Sequence, residues 1–220
     1  MPDYANDTVG IYYGAAWRKS LRAADCLDYP PHFCAIPAYE YEGCPRQVNV
    51  HFIPKTQDKA DGYEKAWAQS ALARGQRLGF IAAGDHKSTG TGTTVLFVNK
   101  ASHQGIIEAL KARRCYATTG DKIFIDICVD GHLMGEEITS SGKPRVTAVI
   151  EATARLTSIV IFRNNKIVYE KNAQDLGSAS RFRVDIVDQD YDNDSFYYLR
   201  VVQANDEIAW SSPIWADRAR

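Results

Sequence analysis

The chain has 220 residues, of which 45% are hydrophobic and 24% are charged, and its formal net charge at pH 7 is −1. This composition is typical of a globular protein with one large domain or two small ones. The balanced charge argues against nucleic acid or an anionic membrane as a partner. No apolar run approaches the ~20 residues that a membrane-spanning helix needs.

The first residues contain no basic segment followed by an apolar core, so no secretory signal is expected. The number of cysteines is odd, and none of them forms a Cys-x-x-Cys pair, which argues against a disulfide framework and a zinc ribbon. The cysteines are Cys26, Cys34, Cys44, Cys115 and Cys128. We therefore expect reduced thiols and predict a cytoplasmic location.

Short elements are predicted in the first third of the chain. Residues 33–39 and 48–53 read as brief buried strands, and alternation in the second places His51 on the same face as Asn49. Residues 63–74 have an apolar stripe at helical spacing, and Gly75 is a suitable helix end.

The most informative stretch begins at residue 78. An apolar run over 78–83 is followed by Gly84, Asp85 and His86. A buried parallel strand ends in this way when it delivers ligands to the carboxyl edge of a sheet. Carboxylate and imidazole both bind divalent metals, so the pattern indicates part of a metal site. The alternative is that the glycine and the aspartate make an ordinary turn.

The later residues change character at Gly120. Before it, a strand at 94–98 and a helix at 103–114, capped by Ser102, complete an α/β layer. After it come short alternating strands, and Asn164–Asn165 is predicted to form a hairpin turn. The alternating strands cover 122–129, 145–152, 158–162, 181–187 and 196–203. The sequence therefore predicts an α/β domain over 1–121 and an antiparallel β-sandwich over 122–220.

Several segments resemble one known family. Residues 77–86 (Arg-Leu-Gly-Phe-Ile-Ala-Ala-Gly-Asp-His) and 105–120, which end in Ala-Thr-Thr-Gly, resemble the late part of a PHP-superfamily domain (polymerase and histidinol phosphatase). Segments 33–40, 130–135 and 209–215 fit an uncharacterised bacterial branch of that superfamily. The resemblance implies an incomplete, distorted β/α barrel before the sandwich. It also implies metal-dependent hydrolysis of a small phosphoester.

The resemblance extends to individual residues. It implies that a divalent metal (Zn, Mn or Fe) is held by Glu40, Asp85 and His86, with His51 in reserve. Beside such a metal, two donors would contact a phosphate oxygen as catalytic groups, and two threonines would border the substrate. The donors are Lys87 and Ser88, and the threonines are Thr118 and Thr119. The alternative for the threonines is turn chemistry.

The chain departs from the family pattern. It contains no His-x-His motif, and a long segment is missing between Ile53 and Tyr63. The remaining ligands suffice for one metal at most. The alternative is that Glu40 and Asp85 are solvated or paired with basic side chains, and that the chain is a non-catalytic binding or assembly module centred on the sandwich. Open sheet edges invite pairing with another subunit, so a homo-oligomer is expected.

Overall fold

A computed structural model of the protein describes residues 68–82 and 92–219. These residues form three helices and twelve strands. The helices are α1 (Ala68–Ala73), α2 (His103–Lys111) and α3 (Ala173–Leu176). The strands are β1 (Thr93–Leu96), β2 (Cys115–Thr118), β3 (Phe124–Val129), β4 (His132–Leu133), β5 (Glu137–Ser140), β6 (Arg145–Glu151), β7 (Leu156–Arg163), β8 (Lys166–Asn172), β9 (Arg181–Val187), β10 (Ser195–Gln203), β11 (Ile208–Ser211) and β12 (Ile214–Arg218).

The strands form two sheets that pack face to face. The large sheet has the order β1-β2-β11-β10-β12-β5, with β7 also paired to β10 and β8 paired to β7. The small sheet has the order β4-β3-β6-β9. All described pairings are antiparallel except that of β12 with β5. The described chain is therefore a mostly antiparallel β-sandwich.

The core lies between the sheets and follows from alternation along the strands. In β3, Ile125 and Ile127 are fully buried, while Phe124 on the opposite side of the strand is exposed. In β10, Tyr197 and Leu199 point into the same core. Because successive side chains of a strand point to opposite faces, one period-two pattern fixes which face of each sheet is buried.

The predicted fold class, an incomplete PHP-like β/α barrel followed by a β-sandwich, is wrong. Strands β1 and β2, which should belong to the barrel, pair antiparallel with each other. Strand β2 then pairs antiparallel with β11 and so lies in the large sheet of the sandwich. No barrel is present in residues 68–82 and 92–219. The division into 1–121 and 122–220 stays a prediction, because most of the first part lies outside the described residues.

The apolar run at 78–82 is not a strand of either sheet. Its backbone groups bind side-chain hydroxyls instead of a neighbouring strand. The amide of Phe80 donates to Ser212 Oγ at 2.8 Å, and the amide of Ala82 donates to Thr94 Oγ1 at 2.9 Å. The predicted parallel strand is wrong here because these apolar side chains pack onto the large sheet from outside.

Residues 68–82 thereby cover the part of the large sheet's outer face that surrounds Tyr198. Phe80 and Tyr198 are both fully buried there, with ring centroids 6.1 Å apart. Gln69 of α1 donates to the Tyr198 hydroxyl at 3.1 Å. The indole of Trp215 lies under the guanidinium groups of Arg77 and Arg113, at 5.5 and 4.9 Å from the ring centroid. The cation–π contact between Arg77 and Trp215 helps to hold residues 68–82 against the large sheet.

Two local predictions are confirmed. Ser102 caps α2 by accepting a hydrogen bond from the amide of Gly105 at 3.1 Å. Asn164 and Asn165 have φ angles of 50° and 63° and join β7 to β8 in an antiparallel hairpin. Asparagine tolerates this left-handed conformation better than most residues, which is why the pair marked the turn in the sequence.

A buried ion pair closes one end of the sandwich. The Asp188 side chain is 4% exposed and accepts from Arg163 Nη1 at 2.8 Å. The hydroxyl of Tyr197 donates to the same carboxylate oxygen at 2.8 Å. Burial raises the pKa of Tyr197, and the bond to Asp188 raises it further. The phenol therefore stays protonated and remains a donor.

We predict that Arg163→Met lowers the free energy of unfolding by about 3 kcal/mol at pH 7, because it leaves the Asp188 charge buried without its cation. Urea denaturation measures the change. The matched control is Arg181→Met. Arg181 lies 3.8 Å from Glu151 in an exposed pair, and its loss should change stability by less than about 0.5 kcal/mol. Equal effects of the two variants would contradict the prediction.

Candidate binding surface

Six of the eight predicted site residues lie outside the described residues. Their assignments as metal ligands or catalytic donors stay predictions. They are Glu40, His51, Asp85, His86, Lys87 and Ser88.

The two predicted substrate residues are buried at the end of β2. Thr118 is fully buried in β2, and its hydroxyl has no hydrogen-bond partner among the described residues. Thr119 follows β2, donates to the carboxylate of Glu207, and accepts from the amide of Ile208 at 2.9 Å. Thr119 thus ties the end of β2 to the start of β11. These bonds join two strands, and the role of Thr118 and Thr119 at a substrate stays a prediction.

A polar cluster beside Thr119 joins three loops. Asp121 Oδ2 accepts from Gln203 Nε2 at 2.7 Å and from Thr153 Oγ1 and Asn205 Nδ2 at 2.8 Å. The bond from Asn205, followed by those from Thr153 and Gln203, holds the pKa of Asp121 below its usual range. No set of three or more His, Cys, Asp or Glu side chains placed to hold a metal occurs within 68–82 and 92–219. The described cluster is arranged for loop closure.

The outer side of the small sheet carries apolar and charged side chains side by side, and we name it the small-sheet face. Its side chains come from β3, β6 and β9 and lie in cross-strand rows. The rows are Phe124, Glu151 and Arg181; Asp126, Val149 and Arg183; and Cys128, Thr147 and Asp185, with Val187 at the end of β9.

This face carries two of the four large apolar side chains that are exposed among the described residues, and the other two are Ile106 and Ile167. Phe124 is 40% exposed and Val187 is 44% exposed, at opposite sides of the sheet. Val149 lies between them and is half-buried. The corresponding face of the large sheet buries Tyr198 completely. Phe124, Val149 and Val187 are thus separate apolar side chains among charged ones, a mixture that non-obligate protein interfaces share with the rest of a protein surface.

The charges of the small-sheet face are unevenly paired. Arg145 and Asp185 form an exposed two-point ion pair, with Nε to Oδ1 at 2.7 Å. Asp126 takes part in no ion pair with a described residue, and burial raises its pKa. Burial also raises the pKa of Cys128 to about 11, with the nearby carboxylate of Asp126 adding to the effect. The fold therefore holds a partly desolvated carboxylate and a neutral thiol on an open surface.

Among the described strands, β9 forms one edge of the small sheet. At its ends, the amide of Ala152 donates to the carbonyl of Ser180 at 2.7 Å, and the amide of Asp188 donates to that of Pro144 at 2.9 Å. Hydrogen-bonded residues alternate along an antiparallel strand, so the even-numbered residues of β9 bond to β6. The backbone groups of Arg183 and Asp185 consequently point away from β6, toward the open edge.

Comparison with known proteins gives relatives but no family. No family model matches the chain. It is 34% identical over 179 residues to an uncharacterized protein of Chlamydia trachomatis serovar D, a match covering 67% of this chain and 28% of that protein. An uncharacterized protein of Chlamydia muridarum is 32% identical over 179 residues, with the same coverage. The chain thus spans about 28% of the length of these relatives.

Solved structures with partial likeness contain β-rich folds. The fibronectin(III)-like modules of Clostridium thermocellum CbhA match with a TM-score of 0.30 and 8% identity, covering 42% of this chain and 94% of theirs. A lytic polysaccharide monooxygenase of Jonesia denitrificans matches with a TM-score of 0.30 and 12% identity, covering 69% of this chain and 93% of its own.

The resemblance to the PHP superfamily is wrong. No family model supports it, and the matched chlamydial proteins carry no such description. The antiparallel strands that occupy the place of the expected barrel agree with this correction. The descriptions hydrolase and phosphoesterase rested on the resemblance and fall with it.

None of the described helices is long and apolar enough to cross a membrane. The cytoplasmic location expected from the sequence stays a prediction.

The sequence carries a local signal for the small-sheet face. Alternation over 122–129 identified the buried isoleucines, and the same pattern places Phe124, Asp126 and Cys128 together on the other side. Only the register of β3, β6 and β9 shows that these side chains meet Val149 and Arg183 in one surface.

We predict that Asp121→Ala destabilises the fold by about 1 kcal/mol at pH 7, because three donors lose their acceptor. The folded-state pKa of Asp121 is lowered. Its contribution is therefore complete above the unfolded pKa of about 3.9 and is lost as the pH falls through the folded value. Urea titrations between pH 2.5 and 7 should show the difference between variant and wild type shrinking below about pH 4. A difference that is constant across this range would contradict the role given to the carboxylate.

We predict that Asp126→Asn stabilises the fold at pH 7, whereas Asp121→Ala destabilises it. Because burial raises the folded-state pKa of Asp126, ionisation of this carboxylate costs stability as the pH rises from about 4 through the folded value. The variant should therefore gain about 0.5 kcal/mol at pH 7 and nothing at pH 3. Thermal unfolding at the two pH values measures the gain. A loss of stability at pH 7 would show that the carboxylate supports the fold.

Proposed function

We propose that this chain is a non-catalytic binding module whose β-sandwich holds a protein partner on its small sheet. The observation that carries this proposal is the difference between the two sheets. Residues 68–82 bury Tyr198 on the outer face of the large sheet, where Ile167 of β8 stays exposed, whereas the small-sheet face leaves Phe124 and Val187 partly in solvent.

The chemistry of the face specifies what kind of partner it fits. Asp126 and Arg183 lie in one row, on either side of Val149. Neither side chain forms an ion pair with a described residue. A partner with apolar groups flanked by charges of both signs would cover Val149 and pair with both ends of the row. A surface of this kind favours another folded protein over a small ligand, because the groups are spread across three strands.

The relatives support a modular role. The matched region makes up 28% of each chlamydial protein, so in those proteins it is one part of a much longer polypeptide. A sandwich with one covered sheet and one open sheet is suited to joining such parts or to joining separate chains.

Photo-crosslinking tests the proposal. Phe124 is replaced by p-benzoylphenylalanine in the full chain, which is then irradiated in a lysate of its source cells. We expect discrete protein adducts. Excess unlabelled wild-type chain should suppress these adducts by competition, whereas excess unlabelled Phe124→Asp variant should not. The aromatic replacement preserves the local packing, and Phe124→Asp places a charge where the proposed contact is apolar.

The matched control carries the same crosslinker at Ile106 on α2, which is 42% exposed and lies away from the small sheet. Equal adducts at the two positions, or adducts that Phe124→Asp also suppresses, would contradict binding through the small-sheet face.

A further inference from the structure

Strand β9 is the longest regular edge among the described strands. It has seven residues, contains neither proline nor glycine, and pairs with β6 without a shift in register. Three other edge strands, β1, β4 and β5, have four residues or fewer. Edge strand β8 is equally long, but its pairing with β7 is interrupted by a register shift. Long, regular edges are the ones that accept a further strand.

We propose that the partner at this edge is a second copy of the chain, whose β9 pairs antiparallel with the first about a two-fold axis at Val184. This inference goes beyond the proposed function, because it concerns the edge of the small sheet and leaves the small-sheet face free for another partner. The result is one continuous sheet of two four-stranded halves. Such an interface is isologous, since the same strand is used by both copies.

The charges of β9 select this register. With Val184 opposite its own copy, Arg183 of each chain lies directly opposite Asp185 of the other, which gives two favourable cross-strand pairs. A two-fold axis at Arg183 would place two arginines opposite each other, although Arg181 would then face Asp185 of the other copy, and an axis at Asp185 would place two aspartates opposite each other. Because side chains alternate with period two, these are the neighbouring registers that keep Val184 on the core side.

The backbone is arranged for the same pairing. The odd-numbered residues of β9 direct their amides and carbonyls to the open edge, as the bonds of Ala152 and Asp188 show. In the proposed register Arg183 faces Asp185 of the other copy as a hydrogen-bonded pair, and Arg181 faces Val187 likewise. Two-fold symmetry doubles these pairs, which gives about eight new backbone hydrogen bonds.

The core side of β9 would also gain contacts. Phe182 and Ile186 pack against the core but remain half-buried, on either side of the buried Val184. Antiparallel pairing about Val184 places Phe182 of one copy opposite Ile186 of the other. Both side chains would lose exposed apolar area, which favours association. Asp185 keeps its own bond to Arg145, since a carboxylate can accept from several donors.

Sedimentation velocity of the full chain between 1 and 200 µM tests the inference. We expect the wild type to form dimers with rising concentration. Arg183→Asp and Asp185→Arg should each weaken the dimer about tenfold or more, because each converts two attractive pairs into two repulsive ones. Lys166→Glu, on the interrupted edge strand β8, is the matched charge reversal and should leave the dimer unchanged.

A mixture of the two charge-reversal variants gives the sharpest readout. Arg183→Asp presents two aspartates and Asp185→Arg presents two arginines, so a heterodimer regains both opposite-charge pairs. We expect the mixture to dimerise at concentrations where each variant alone is monomeric. Arg183→Pro removes an amide that points to the open edge and leaves the bonds to β6 intact, so it should abolish the dimer. Circular dichroism confirms that each variant is folded.

A wild type that is monomeric at every concentration would overturn the inference. So would a dimer that persists in Arg183→Pro, or a mixture of the two charge-reversal variants that does not dimerise. These results also separate a failure of this inference from a failure of the proposed function. If the chain is monomeric but the crosslinker at Phe124 still captures a specific partner, the binding module stands and the second copy falls. If neither experiment gives association, both proposals fail.

Discussion

The packing of the two sheets against one apolar core determines what the rest of the chain can do. Each sheet buries one face in this core, where Ile125 and Ile127 of the small sheet meet Tyr197 and Leu199 of the large one. Alternation along the strands then leaves each sheet a second face, which must be covered or must meet solvent. Because the second face is an unavoidable product of the first, its composition shows whether the fold uses it internally or presents it to other molecules.

The chain treats the two second faces differently. The large sheet presents Tyr198 and neighbouring aromatic rings outward. Residues 68–82 cover Tyr198 with Phe80, and the amides of Phe80 and Ala82 donate to the side-chain hydroxyls of Ser212 and Thr94. The small sheet presents a mixture of apolar and charged groups that tolerates water. Asp126 forms no ion pair with a described residue, and burial raises its pKa, so ionisation of this carboxylate is unfavourable for the fold. A residue that weakens the fold and lies on an open face is better explained by binding than by stability.

Much of the sandwich could be predicted from the sequence, but the structure of residues 78–82 could not, and the reason is physical. Alternation over 122–129 and 181–187 and the Asn164–Asn165 turn are local signals, and they correspond to β3, β9 and the β7–β8 hairpin. The apolar run at 78–82 carries no period, so it is equally compatible with a buried strand and with a covering segment. Which of the two it becomes depends on Ser212 and Thr94, whose hydroxyls replace a strand as its hydrogen-bond partners. The binding surface depends on register across three strands, which no local pattern reports.

The edge strand β9 illustrates how charge can protect a sheet and direct it at the same time. Folded proteins commonly place charges on exposed edges because like charges repel a strand that approaches in the wrong register. In β9 the outward charges have opposite sign at Arg183 and Asp185, so they repel in the registers centred on either residue and attract in the register between them. Repulsion from the wrong pairings and attraction in one pairing together give specificity. An edge protected by charges of a single sign would resist every antiparallel copy of itself, whereas among the registers centred on Arg183, Val184 and Asp185 only the one centred on Val184 places no like charges opposite each other.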